Sequence, residues 1–290
     1  MHWKSCATSI IITLECLPIQ GIAIRGGSHK TISLLLTNEV ILPGEITTIW
    51  TNNLDVLDHS LTNDFGVLAI GVSMADDKLM EMASLCQIKD GSDADSLFQE
   101  NGDDMTGESN ILLTLECVGR VKLKKIIHDR PHLEFEFSLV QEKKCEDLEK
   151  CQLVAQNIET FMRLLSRSEN EIYGMEMVDN NDDFDLLARY RKAFKSASNI
   201  LRQGDVGNKD EEVIRTLSAT SWAAFTAVKD RKLKDYRLRA LDYENLFDRL
   251  KLAQYMLREK ELRLQGTSLK SASHTHKEDE HVPKHFEGFQ

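Results

Sequence analysis

The chain has 290 residues, enough for one large domain or two modest ones, each able to bury a core, and its 41% hydrophobic and 29% charged residues are the balance of a soluble globular protein. A formal charge of −11 argues against nonspecific binding to nucleic acid or anionic lipid, since both need clustered cations. No run of about twenty apolar residues exists to span a bilayer.

In chain order, Ala7 to Leu14 follows Lys4 as a weak apolar run that Glu15 interrupts, with no clear small-residue cleavage site after it. Residues 1–30 therefore read as an extension or a presequence, and the expected location is intracellular, cytoplasmic or organellar (plastid or mitochondrion). Gly26-Gly-Ser-His-Lys-Thr31 lacks the uninterrupted Gly-Lys-Ser/Thr of a phosphate loop, and a strand follows where a helix should begin.

From about Ile32 to Val140 the dominant period is two. The clearest case is Leu133, Phe135, Phe137 and Leu139 alternating with His132, Glu134, Glu136 and Ser138, a half-buried strand. Other predicted strands span Thr31 to Leu36, Ile46 to Trp50, Phe65 to Val72, Glu81 to Ile88, Ile111 to Val118 and Arg120 to Ile127. Many short strands with few long helices between them imply an antiparallel barrel or sandwich. Pro43 fixes one dihedral beside the permissive Gly44, suitable chemistry for a tight turn after the first strand. Residues 90–108 are acidic, contain no basic residue and carry few large apolar groups, so they read as a mobile loop between two strands.

After Gln141 the period becomes helical. Predicted helices cover Cys145 to Leu165, Phe184 to Leu201 with caps at Asn181 or Asp182, Glu211 to Val228, and a stripe of Leu246, Leu250, Ala253 and Leu257 that ends near Gly266. Residues 143–266 thus form a helical subdomain, and 267–290 read as a disordered tail. Its histidines His274, His276, His281 and His285 can capture a metal only weakly. Six cysteines without Cys-x-x-Cys spacing, mostly inside apolar runs, are expected to be reduced and buried.

The stretch Ile32-Ser-Leu-Leu-Leu-Thr-Asn-Glu-Val-Ile-Leu-Pro-Gly44, followed in order by Phe65-Gly66-Val67, Gly119-Arg120-Val121 and the helix ending in Asp248-Arg-Leu-Lys-Leu-Ala-Gln-Tyr-Met-Leu257, resembles the N-terminal substrate-binding domain of Lon-type proteases. The resemblance covers roughly residues 32–141, with weaker helical similarity from 183 to 264. It implies an α+β fold in which a PUA-like antiparallel β-barrel over residues 31–142 is followed by a C-terminal helical bundle. The family's Phe-Glu-x-Arg-Tyr-like segment is replaced by Ile49-Trp50-Thr51-Asn52-Asn53, so the Glu and Arg that brace the next helix are missing.

The implied role is non-catalytic recognition of unfolded or apolar polypeptide, as an adaptor in protein quality control or proteolysis working with a protease or ligase component. The alternatives are an RNA-binding PUA-like module or a fragment of a larger Lon-type protease. Candidate contacts are Trp50, Phe65, Ile49 and Val67, while Pro43, Gly44, Gly66, Gly119 and Arg120 form the structural motif. A tryptophan at a strand end is core more often than ligand platform, and both readings stay open for Trp50. No ATPase or Ser-Lys peptidase module, Gly-x-Ser-x-Gly elbow or His-Glu-x-x-His helix is recognisable, so no catalytic residue, cofactor or metal ligand is assigned. No membrane partner is expected, and the acidic balance disfavours nucleic acid.

Overall fold

A computed structural model describes residues 31–64, 66–73, 78–93, 111–140, 145, 147–173, 185–202 and 209–278. Among them are six strands, β1 (Thr31–Thr37), β2 (Ile46–Thr51), β3 (Val67–Val72), β4 (Met82–Asp93), β5 (Ile111–His128) and β6 (Leu133–Leu139). Six helices accompany them: α1 (Leu54–Asn63), α2 (Leu148–Tyr173), α3 (Leu186–Arg202), α4 (Lys209–Ala227), α5 (Lys234–Asp242) and α6 (Leu246–Glu278). None is long and apolar enough to cross a membrane.

The strands form one sheet in the order β2-β5-β4-β3-β1-β6, and β5 pairs with β6 as well. The sheet is mixed, which corrects the expectation of an antiparallel one: β1 and β3 run parallel, Leu34 beside Ala69 and Thr37 beside Val72. Parallel neighbours need a crossover. Here it carries β2 and α1, and α1 is not among the helices that periodicity predicts.

The two strands predicted on either side of Gly119 are one continuous strand. Val118 is the extra residue where the register shifts from Leu85↔Gly119 to Cys86↔Cys117. A bulge bends and twists a strand, so β5 serves β2 with its first half and β6 with its second. β4 likewise extends through Asp90, Gly91, Ser92 and Asp93, which pair with Thr114 to Ile111; those four residues are strand instead of loop. The remainder of the expected acidic loop lies outside the described residues.

Alternation sorts the apolar side chains into two clusters. Leu68 and Ile70 of β3 join Leu35, Val56, Leu113 and Leu115, while Val67 and Ala69 join Ile32, Leu34, Phe135 and Phe137. Every residue of β3 is buried, as befits a strand covered on both faces.

A third core belongs mainly to the helices. α4 is buried from Leu217 to Phe225, since small Ala and Ser residues let its neighbours close around it. Val40, Leu42, Met80 and Met82 from the sheet side enter the same core. The segment after β1 therefore stitches the halves together: Val40 and Leu42 face the helices while Ile41 faces the sheet.

Three contacts fix this junction. Gly44 has φ +87°, and a Cβ there would lie 2.6 Å from the Cα of Ala197 on α3, so the Pro43-Gly44 turn needs glycine for both conformation and approach. Glu45 receives Arg237 of α5 at 2.5 Å, and the same guanidinium donates to the carbonyls of Val40 and Phe225. Arg120 is buried and donates through Nη1 to the carbonyls of Leu241 and Tyr243, at 2.7 and 2.8 Å. Its guanidinium also lies 5.0 Å from the ring of Trp222, whose other guanidinium neighbour, Arg249, is at 3.9 Å.

Several local expectations are revised. α6 runs through Gly266 to Glu278, whereas the tail was expected to begin at residue 267; a lone glycine costs a helix only about 1 kcal/mol and does not by itself end it. The caps Asn181 and Asp182 lie outside the described residues, and the Asp185 carboxylate accepts from the amides of Leu187 and Ala188. The sulfurs of Cys145 and Cys151 lie next to one another at the first turn of α2, although no Cys-x-x-Cys spacing announces it. Cys86 and Cys117 are free and buried. Gly66 also takes positive φ, at 75°, just before β3.

Replacing Gly44 by Ala is expected to destabilise the protein by roughly 2–5 kcal/mol, adding left-handed backbone strain to a backbone clash, and chemical denaturation measures it. Arg249→Ala is expected to cost roughly 3–5 kcal/mol, since it leaves Ser218 and Ser221 without their buried donor; a midpoint shift below 1 kcal/mol contradicts that role.

Candidate functional site

β2 has the sequence Ile-Thr-Thr-Ile-Trp-Thr, β-branched or aromatic throughout, which favours extended backbone. It ends because Asn53 starts a helix: the Asn53 side chain accepts from the amide of Val56 at 3.2 Å, and the Thr51 hydroxyl accepts from the amide of Asn53. These local caps brace the start of α1.

Strand β2 pairs with β5 along its whole length, Ile46↔Glu116 to Thr51↔Ile111, and stands at the end of the strand order. Its other edge takes no strand among the described residues. Ile46, Thr48 and Trp50 stand on the outer face, with Ile46 59% and Trp50 52% exposed. Across β5 that face continues with Leu112 and Thr114 opposite Trp50 and Thr48.

Neighbours along a strand point to opposite faces, which separates the candidate contacts. Trp50 is on the surface. Ile49 points inward and packs against the cluster of Leu35, Ile41 and Leu113. Val67 is 6% exposed inside the other sheet cluster and drops out as a contact surface. Phe65 lies outside the described residues. Of the structural motif, Gly44 and Arg120 lie at the junction between sheet and helices, and Gly119 sits beside the bulge of β5.

A second grouping, not anticipated from the sequence, is polar. Ser33 of β1 is fully buried and sits opposite Glu134 of β6. Its hydroxyl lies 2.8 Å from Nδ1 of His59 on α1 and donates to Asp64 at 3.4 Å. Burial pushes the Asp64 carboxyl up, against the opposing pull of His59 and the Ser33 hydrogen bonds. The rings of His59 and His132 are 4.4 Å apart, and donor atoms of His59, His132 and Glu134 lie within 4.8 Å of one another.

These residues do not make a hydrolytic triad. Ser33 and Asp64 both approach His59 at the same nitrogen, Nδ1, whereas a relay needs base and orienting acid on opposite ring nitrogens. The buried hydroxyl also offers substrate no access. One signal was present in the sequence: His132 and Glu134, two apart, share one face of β6's period-two pattern. The third member, His59, is contiguous with them only in space.

No protein-family model matches the sequence, and no curated protein matches it. Among solved structures, the protein is similar to the N-terminal domain of a Mycobacterium avium complex Lon protease, at 14% identity over 79% of this chain and 98% of that one, with a TM-score of 0.49. It is also similar to a Lon N-terminal domain protein from Xanthomonas campestris, at 14% identity over 77% of this chain and 95% of that one, with a TM-score of 0.42.

Proposed function

We propose that this chain is a non-catalytic recognition module that adds an extended apolar polypeptide segment as a strand along the edge of β2 that faces away from β5, with the exposed Trp50 as the side-chain anchor. One observation carries the reading: β2 has neither charge nor proline and presents Ile46 and Trp50 outward at a sheet edge. Proteins ordinarily guard such edges with lysine, proline or a bulge, because unpaired N–H and C=O groups template a new strand. Strand addition supplies sequence-tolerant affinity through the main chain and preference through alternate side chains.

The sequence resemblance to Lon substrate-binding domains supports the same role, an adaptor delivering unfolded clients to a protease or ligase component. In this reading the circuit of pairings closed through β5 and β6 is a PUA-like barrel, and the helices brace it or dock the partner.

The test uses a labelled apolar peptide of about ten residues and an unfolded protein, with a structured RNA as comparison at the same salt. Trp50→Ala should raise Kd about fivefold or more, near 1 kcal/mol, while shifting stability by less than about 1 kcal/mol because the side chain is half exposed. Peptides N-methylated at alternate residues should bind in one methylation register and fail in the other. Equal binding in both registers, unchanged affinity of the Trp50 variant, or tighter binding of RNA rejects the proposal.

A further inference from the structure

We propose that His59, His132 and Glu134 form a binding site for a divalent transition-metal cation, of the class that prefers imidazole and carboxylate donors, with zinc the best match. The site is independent of the β2 edge. It lies where α1 meets β1 and β6.

The first observation is the donor set. Two imidazoles and one carboxylate, mutually within 4.8 Å, are the three protein ligands of an open tetrahedral site with water in the fourth position. Bound donors about 2.0–2.2 Å from zinc stand roughly 3.4 Å apart. Small side-chain rotations therefore close the present spacing. Magnesium and calcium call for oxygen-rich sets and fit poorly.

The second observation is independent of spacing. His132 is 9% exposed, and neither of its ring nitrogens has a hydrogen-bond partner. A buried imidazole with both nitrogens unsatisfied is costly, and such a group calls for a missing partner. A cation accepts the lone pair of one nitrogen and removes that deficit.

The surroundings are those of a ligand shell. With the Ser33 proton directed to Asp64, the Ser33 oxygen accepts from Nδ1–H of His59, which leaves the His59 lone pair on Nε2 for a metal. Glu134 is 13% exposed in its side chain and is held on β6 opposite Ser33. Its carboxylate also lies 3.8 Å from Nε2 of His128, which is largely solvated. Asp64, 3.6 Å from His59, adds a second carboxylate that offsets the charge of a divalent ion. A bound ion would tie α1, the helix directly after β2, to the opposite end of the strand order at β6.

Full-length protein in which His274, His276, His281 and His285 are changed to Ala, so that those four add no binding, is stripped with chelator and titrated with Co²⁺ and Zn²⁺. One ion per chain is expected, with visible Co²⁺ ligand-field bands and a rise in Tm. His59→Ala, His132→Leu and Glu134→Gln should each weaken uptake at least tenfold. His132→Leu should leave the Tm of the stripped protein equal or higher, because it removes the unsatisfied ring, while abolishing the metal-dependent rise. Circular dichroism checks that each variant is folded, and the near-isosteric Glu134→Gln keeps the test decisive if a histidine variant does not fold. Absence of stoichiometric uptake, or uptake unchanged in His132→Leu and Glu134→Gln, overturns the proposal.

Discussion

The ring of Trp222 receives two guanidinium groups, Arg120 from the sheet and Arg249 from α6, and the docking of the helices on the sheet depends on that meeting point. Burying two cations is expensive unless each is fully hydrogen-bonded. Here neutral acceptors do much of this work: Arg249 donates to Ser218 and Ser221 of α4, and both arginines reach the carbonyl of Tyr243 just beyond α5. Orphan carbonyls at a helix C-terminus are where cations are best received. The arrangement joins β5, α4, α5 and α6 through groups that accept few other geometries, which hydrophobic packing alone does not achieve. Arg120 also stands next to the bulged Val118 and Gly119, so the bend of β5 and the docking of the helices are set at one point of the chain.

From that anchor the two candidate sites follow as different ends of the same sheet. The first half of β5 carries β2 outward to the end of the strand order, where β5 is its one strand neighbour among the described residues. The second half folds onto β6 and brings Glu134 across from Ser33, under α1. Apolar surface at one end and buried polar groups at the other are thus products of topology more than of local composition. The polar end is satisfied only in part, since Ser33, His59 and Asp64 serve one another while His132 has no such partner.

Much of this was legible in the sequence and some was not, for identifiable reasons. The strands Thr31–Thr37, Ile46–Thr51 and Leu133–Leu139 stand within a residue of where alternation puts them, because one or both faces are buried and period two is then enforced. Helix α1 escaped periodicity because its cap is the single residue Asn53, directly after a strand, and its short stripe of Leu54, Val56 and Leu57 gives a weak periodic signal. The parallel pairing of β1 and β3 escaped because alternation reports faces, never neighbours. Arg120 belongs to a legible motif, but its partners on α4 and at the end of α5 are more than a hundred residues away. His59 and His132 are illegible as a pair for the same reason: 73 positions separate them, and no spacing rule reaches that far.

The place of β1 between β3 and β6 has a consequence for synthesis. Its parallel partner follows about 30 residues later, but its antiparallel partner lies about 100 residues downstream. At translation speeds of about 5–20 residues per second, one side of a strand as apolar as Ile-Ser-Leu-Leu-Leu waits for roughly 5–20 s before β6 exists to cover it. During that interval the nascent chain presents an edge of β1 that β6 has yet to cover, and closure by β6 ends its exposure to any chaperone or neighbouring chain that would pair with it.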